Sequence, residues 1–289
     1  MARVLILYDN AADAGTLSGG SWSLPLSYMQ DPRPTRRARS TSLDLANTTF
    51  RIALPTVRTF KALAFGPTNF TSSARYRIRA YSDADFTMET YDSGWTDIGI
   101  QAVPSLDLAW EDPNFWTGVQ PIDDPDNAGI FVVHLFEEDE TAKNWTFEID
   151  DQANPEGFVE IGRLFMGLGW QPSINFSAES NNFRFIPNTT VMKSLGGTPY
   201  FVRRKSARSI LLPFPYLPDT EVWNDVYRIQ SISNLDKQVF VISDPDDTVN
   251  RNKRSFLGNL AELPAIQLLT VQIGDTFGAS TAFEITEAL

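Results

Sequence analysis

Arg208-Ser-Ile-Leu-Leu-Pro-Phe-Pro-Tyr216, followed directly by Leu217-Pro-Asp-Thr-Glu-Val-Trp-Asn-Asp-Val-Tyr-Arg-Ile229, is the stretch on which the fold of this chain turns. In its first part Ile210, Leu212, Phe214 and Tyr216 alternate with other residues, so they fall on one face of a strand. Pro213 and Pro215 have no N–H to give a ladder, which predicts an edge strand or one that ends in a bulge. Asp219 is placed to cap the first free N–H groups of a helix, and Glu221 sits at the positive end of its dipole. The helix is expected over residues 220–231. Its apolar residues Val222, Trp223, Val226 and Ile229 recur at three- and four-residue spacing and are expected to pack on a sheet. Further strands are expected at 238–242, 254–260, 268–273 and 279–285. Residues 200–289 therefore read as a small β-sheet or split barrel with one packed α-helix.

Upstream, short strand patterns with turn signals between them recur from Thr41 to about Gly167, the pattern of an all-β sandwich or jelly roll. Residues 42–45, 49–54, 60–65, 129–136, 143–149 and 158–166 each read as a strand. The clearest is Ala74-Arg-Tyr-Arg-Ile-Arg-Ala-Tyr81, where Arg75, Arg77 and Arg79 must line a wet cationic face while Tyr76, Ile78 and Ala80 pack inward. Residues 1–8 read as a first strand, and 173–199, polar and weakly patterned, as a link. The expected organisation is mainly β: a β-sandwich over 1–170, a linker over 171–199 and the sheet-plus-helix domain over 200–289.

Composition narrows the function. A formal net charge of -12 argues against sequence-independent binding to nucleic acid, whose phosphates the average field would repel. With no cysteine there is neither a disulfide nor a thiolate ligand nor a cysteine nucleophile. No run approaches the roughly 18 apolar residues of a membrane-spanning helix, so no membrane insertion is expected. The sole histidine, His134, sits in an apolar strand, where an imidazole is more often a hydrogen-bonded structural group than a base. No catalytic residue, cofactor or metal site is assigned.

Acids and aromatics mix in one place. Trp110, Glu111, Asp112 and Trp116 could hold a sugar between flat rings and carboxylates, or even hydrolyse one with two acids; the alternative is a turn with its rings packed inward. Asp123-Asp-Pro-Asp-Asn127 and Asp244-Pro-Asp-Asp247 carry oxygen ligands at close spacing but lack the full calcium-loop pattern, and Asp-Pro turns explain them. Basic clusters containing Arg36, Arg37 and Arg39, then Arg203 and Arg204, then Arg254, are candidate contacts to a neighbouring subunit.

Asp244-Pro-Asp-Asp-Thr248, Arg254-Ser-Phe-Leu-Gly258, Ser280-Thr-Ala-Phe-Glu-Ile285 and Glu160-Ile-Gly-Arg-Leu-Phe165 resemble a family of minor tail proteins of long-tailed bacteriophages, and the strand–helix–strand order resembles the ring-forming domain of tail tube and distal tail proteins. The resemblance implies a structural virion protein of the tail tip or baseplate, assembled in the host cytoplasm. It implies a ring or collar, a homo-oligomer of threefold or sixfold symmetry, joining tube, hub and tip proteins. The first domain is similar to the galactose-binding-like jelly roll of discoidin and coagulation-factor type C domains, on the strand 60–65 before a loop bearing Asn69, the strand 75–81, the turn Tyr91-Asp-Ser-Gly-Trp95 and the strand 145–150 leading into 158–165. That resemblance implies binding of sugars or of other proteins through loops at one end, with a host surface glycan as one such ligand. The cysteine pair of those domains is missing here, and no sugar-binding residue carries over.

Overall fold

A computed structural model of the chain describes residues 3–98, 110–111, 130–248, 250–273 and 276–289. It is mainly β, in antiparallel sheets, and divides into two compact units. A sandwich unit holds residues 10–169 and 244–255, and a sheet–helix unit holds 1–9, 170–243 and 256–289. The division departs from the sequence reading at three points. The opening strand, β1 (Leu5–Tyr8), is fully apolar and buried because it pairs in the second unit's sheet, with Leu5 opposite Ile242 and Leu7 opposite Phe240. Residues 171–199 are not a linker, since they contain a strand of that same sheet. Residues 244–255 belong with the sandwich.

The sandwich unit is of jelly-roll type. Its strands are β2 (Thr16–Ser18), β3 (Trp22–Leu24), β4 (Ala38–Ser40), β5 (Phe50–Thr68), β6 (Arg75–Tyr81), β7 (Glu89–Asp92), β8 (Thr96–Asp97), β9 (Ile130–Asp150) and β10 (Glu160–Phe165). They run in the order β3-β4-β10-β5-β9-β6-β7, with β2 added to β5 and β8 to β6. Four of the short strands expected from sequence are the halves of two long ones. β5 passes through Pro55 and β9 through Glu137–Glu140 because the register between them shifts at Ala53/Arg58 and at Phe60/Ala62, and such bulges bend a strand without ending it. Residues 42–45 form a turn into a short helix, α1 (Leu45–Thr48), rather than a strand.

Aromatic rings fill the sandwich. Phe50 stacks on Phe147 at 4.8 Å, while Phe65 meets Tyr76, Phe147 and Phe70 edge-on at 5.8, 6.1 and 6.2 Å. Each such pair adds about 0.5–1.5 kcal/mol beyond the area it buries. Arg163 of β10 is also buried, its guanidinium donating to both carboxylate oxygens of Asp13 at 2.5 and 2.7 Å and to the Gln30 carbonyl at 2.6 Å.

The sheet–helix unit continues with β11 (Leu168–Trp170), β12 (Asn182–Ile186), β13 (Thr190–Lys193), β14 (Pro199–Val202), β15 (Ala207–Pro218), β16 (Val239–Ile242), β17 (Ser255–Leu260), β18 (Gln267–Ile273) and β19 (Thr276–Glu287). The sheet order is β11-β1-β16-β17-β19-β15-β12, β18 pairs with β19, and β13 and β14 form a two-stranded sheet of their own. β15 is internal over its first half, between β19 and β12. β12 pairs only as far as Leu211; beyond it the Pro213 carbonyl accepts from the Ser177 amide at 2.8 Å, so the missing N–H of Pro213 costs no ladder bond to β12, and the register shifts between Phe214 and Leu217. Gly258 is required in β17, because a Cβ there would run into the Thr286 carbonyl oxygen of β19.

The helix spans 219–233 and buries Val222, Val226, Ile229 and Ser233. Trp223, expected in that stripe, is instead 47% exposed. It follows Val222 by one residue, about 100° around the axis, and the wide π turn at Val222–Val226 gives that stretch extra residues to present outward. Asp219 makes no side-chain cap. Glu221 does not stay free at the dipole but accepts from the Trp170 indole N–H at 3.1 Å and the Ser173 amide at 3.0 Å. Among the described residues no helix is long and apolar enough to cross a membrane.

Candidate functional site

One end of the sandwich is tied together by two loops far apart in sequence. Asp151, buried at the end of β9, accepts from the Thr71 amide at 3.0 Å and the Asn154 side-chain amide at 2.9 Å, and also from the Thr71 hydroxyl. Asn154 donates as well to the Asn69 carbonyl at 3.0 Å. Asn69 then acts as a hub: its Nδ2 donates to Glu156 at 2.8 Å and to the Phe158 carbonyl at 3.0 Å, and its Oδ1 accepts from the Glu160 amide at 2.7 Å. A carboxylate and an amide whose polar atoms are so fully used hold the loops 69–74 and 151–159 in one arrangement.

At the same loops the Ile98 amide donates to the Ala74 carbonyl at 2.9 Å, and Ile130 pairs opposite Thr68. Ile98 and Ile130 thus flank the 69–74 loop. Trp110 is 75% exposed and Glu111 beside it is exposed, so this ring is not packed inward. Asp112 and Trp116, the other two residues singled out from sequence, lie outside the described residues, as does 123–127. A second indole, Trp95, lies in the turn between β7 and β8, partly exposed, with the Arg75 guanidinium 5.5 Å from its ring centroid.

The arginine row of β6 is wet, as the alternation implies, but it is matched by acids. Arg75 pairs with Asp150 at 2.6 Å, Arg77 with Asp92, and Arg79 with Glu148 at 2.5 Å. Opposite charges directly across a sheet face favour its register more than its stability. The first basic cluster is likewise engaged within the chain. Arg36 lies 3.2 Å from Asp31, while Arg37 and Arg39 reach Glu160 at 3.4 and 2.6 Å, with Arg39 also over the Phe158 ring at 4.1 Å. Arg254 faces Asp247 at 3.1 Å and Asp244 at 3.6 Å, which makes those acids partners of a cation. Arg203 and Arg204 are exposed. Among the described residues no group of three or more His, Asp and Glu side chains is placed to hold a metal ion.

His134 bridges two tyrosines. Its Nδ1 lies 3.1 Å from the Tyr76 hydroxyl and its Nε2 2.8 Å from the Tyr91 hydroxyl, so a neutral ring donates through one nitrogen and accepts through the other. Burial, with a smaller contribution from the nearby Arg251 charge, pushes its pKa down to about 4, and burial pushes both tyrosines up to about 12. With both nitrogens taken, the imidazole is a structural bridge inside the sandwich. Sequence placed it in an apolar strand but could not supply its partners.

No protein-family model matches the chain, and no curated protein matches it. Among solved structures it is similar to a carbohydrate-binding module of a family 31 glycoside hydrolase from Clostridium perfringens, at 14% identity and a TM-score of 0.36, over 56% of this chain and 99% of that one. It is similar to the family 32 module of NanJ from the same organism, solved with galactose, at 15% identity and a TM-score of 0.36, over 56% and 98%. It is also similar to a fucolectin from striped bass (Morone saxatilis) serum, at 10% identity and a TM-score of 0.36, over 96% and 92%. No binding residue is transferred from any of them.

Proposed function

We propose that the chain is a non-catalytic glycan-binding protein whose sandwich unit presents the ligand site on its braced loop end. The observation that carries this reading is Trp110, a large flat ring 75% exposed and next in sequence to an exposed carboxylate, Glu111. An indole held outward offers its apolar face to the C–H face of a pyranose, and the adjoining Glu111 carboxylate accepts from vicinal hydroxyls. A site on a braced frame loses little conformational freedom on binding, which suits a ligand with few contacts. The test is a glycan array probed with the whole chain and repeated with Trp110→Ala. Binding to a restricted set of glycans, weakened about tenfold or more in the variant, is expected; an array without a single bound glycan would overturn the reading.

A second reading is a structural protein of a bacteriophage tail, located in the virion and joining tube, hub and tip proteins. Its support is the sequence resemblance, together with the exposed apolar segment of the sheet–helix unit described next. The two readings are compatible, since a tail component can carry a glycan site. Detection of the chain in purified particles would support the second, and its absence from them would remove it.

A further inference from the structure

Residues 182–205 of the sheet–helix unit have three properties that do not belong to a finished surface. β13 and β14 pair only with each other, register Thr190–Val202 to Lys193–Pro199, and every residue of both strands is exposed. A two-stranded hairpin by itself is marginally stable in water. The hairpin is also apolar: Val191, Met192, Leu195, Tyr200, Phe201 and Val202 are exposed, from 44% for Val202 to 112% for Leu195. Taking on the order of 150–250 Å² for a large side chain, these six present roughly 700 Å². A standard protein–protein interface takes about 800 Å² from each partner.

Charge identifies the occupant. Residues 182–205 hold five basic side chains, Arg184, Lys193, Arg203, Arg204 and Lys205, and no acid, so in a chain of net charge -12 the remainder carries -17. Arg184 and Lys205 have acidic partners, Glu284 and Glu287, while Lys193, Arg203 and Arg204 are exposed. An anionic lipid surface or a nucleic acid would attract this arm but repel the rest of the molecule. A second copy of the chain would not, because its arm-free surface is the acidic complement. The same unit offers a receiving face of matching character. Trp223 and Tyr227 lie exposed on the helix, ring centroids 5.9 Å apart, in a helix that carries three acids, Asp219, Glu221 (already held by Trp170 and Ser173) and Asp225, against one cation, Arg228.

We propose that the β13–β14 arm of one copy docks on the Trp223–Tyr227 face of a second copy. The contact joins two different surfaces, so it closes either into a mutual exchange between two chains or into a ring. Lys193, Arg203 and Arg204 steer and orient it, and the apolar side chains of the arm are what it buries.

Sedimentation of the whole chain from about 1 to about 100 µM tests this. Concentration-dependent self-association is expected, weakened about tenfold or more in a triple Lys193→Glu, Arg203→Glu, Arg204→Glu variant and abolished when residues 190–202 are replaced by a short Gly/Ser link. Since no residue of β13 or β14 is buried, the arm-less chain should keep the wild-type circular dichroism and melting. The decisive mixture pairs that arm-less chain with a Trp223→Ala, Tyr227→Ala chain. One keeps the face and the other the arm, so each alone is monomeric and together they form a one-to-one complex. Monomeric wild type throughout the range, association unchanged without the arm, binding to anionic vesicles in place of self-association, or failure of the mixture would each overturn the proposal.

Discussion

Protonating His134 should loosen the sandwich. The ring is 8% exposed and bridges the Tyr76 and Tyr91 hydroxyls at 3.1 and 2.8 Å. In the unfolded chain an imidazole titrates near 6.5, whereas burial holds this one to about 4 in the folded protein. Between those two values the unfolded state binds the proton that the folded state refuses, so stability falls as pH drops from about 6.5 to about 4 and is restored above that window. At about 1.4 kcal/mol per pH unit the full loss is about 3 kcal/mol, a large share of what typically holds a domain folded. Because the chain has 36 acids, which also titrate as pH falls, the informative quantity is a difference. His134→Gln keeps a donor and an acceptor but cannot titrate. The stability of wild type relative to this variant, from urea unfolding followed by near-ultraviolet circular dichroism, should therefore decline by about 3 kcal/mol across the window. As the only histidine in the sequence, it also gives one imidazole signal in a proton–carbon NMR titration, with a midpoint expected near 4. A midpoint at 6 to 7, or parallel pH profiles for the two proteins, would refute the reasoning.

Two further substitutions separate exposed from buried positions. Trp223→Ala at concentrations below self-association should cost less than about 1 kcal/mol, while Phe214→Ala, in the core of the same unit, should cost about 3–5 kcal/mol; equal losses by thermal melting would contradict the placement of the helix. Arg163→Ala takes a buried donor from the Gln30 carbonyl and from the half-exposed Asp13 carboxylate and should cost about 1–3 kcal/mol, so a variant that melts like wild type would show the guanidinium to be dispensable.

The fold class was legible because it rests on period. Strict alternation in β6 and the three- and four-residue spacing of Val222, Val226 and Ile229 are local signals, and both elements are in place. What periodicity cannot carry is partner choice over long separations. The strand Leu5–Tyr8 looks alike whichever sheet it joins, and only the pairing with Phe240–Ile242 decides it. Pro55 and the acids of β9 look like strand ends until a bulge absorbs them. The exposure of Trp223 escaped because a tryptophan beside a helical stripe is indistinguishable in sequence from one within it. At the candidate site Trp110 and Glu111 were readable as an aromatic beside an acid. The clamp of Asn69, Thr71, Asp151 and Asn154 was not, because hydrogen bonds between loops about 80 residues apart leave no local pattern. The apolar arm was read as a polar link since its hydrophobic residues fall in runs of two and three, too short for either template.

Glycan recognition by the sandwich unit is tested most directly by isothermal titration of the tightest array glycan into wild type, Trp110→Ala and Asp151→Ala. Saturable binding in wild type, lost in Trp110→Ala without a change in melting and weakened in Asp151→Ala as the loop cluster loosens, is the predicted result. Equal affinity in wild type and Trp110→Ala would contradict the account, because the exposed indole would then take no part in recognition.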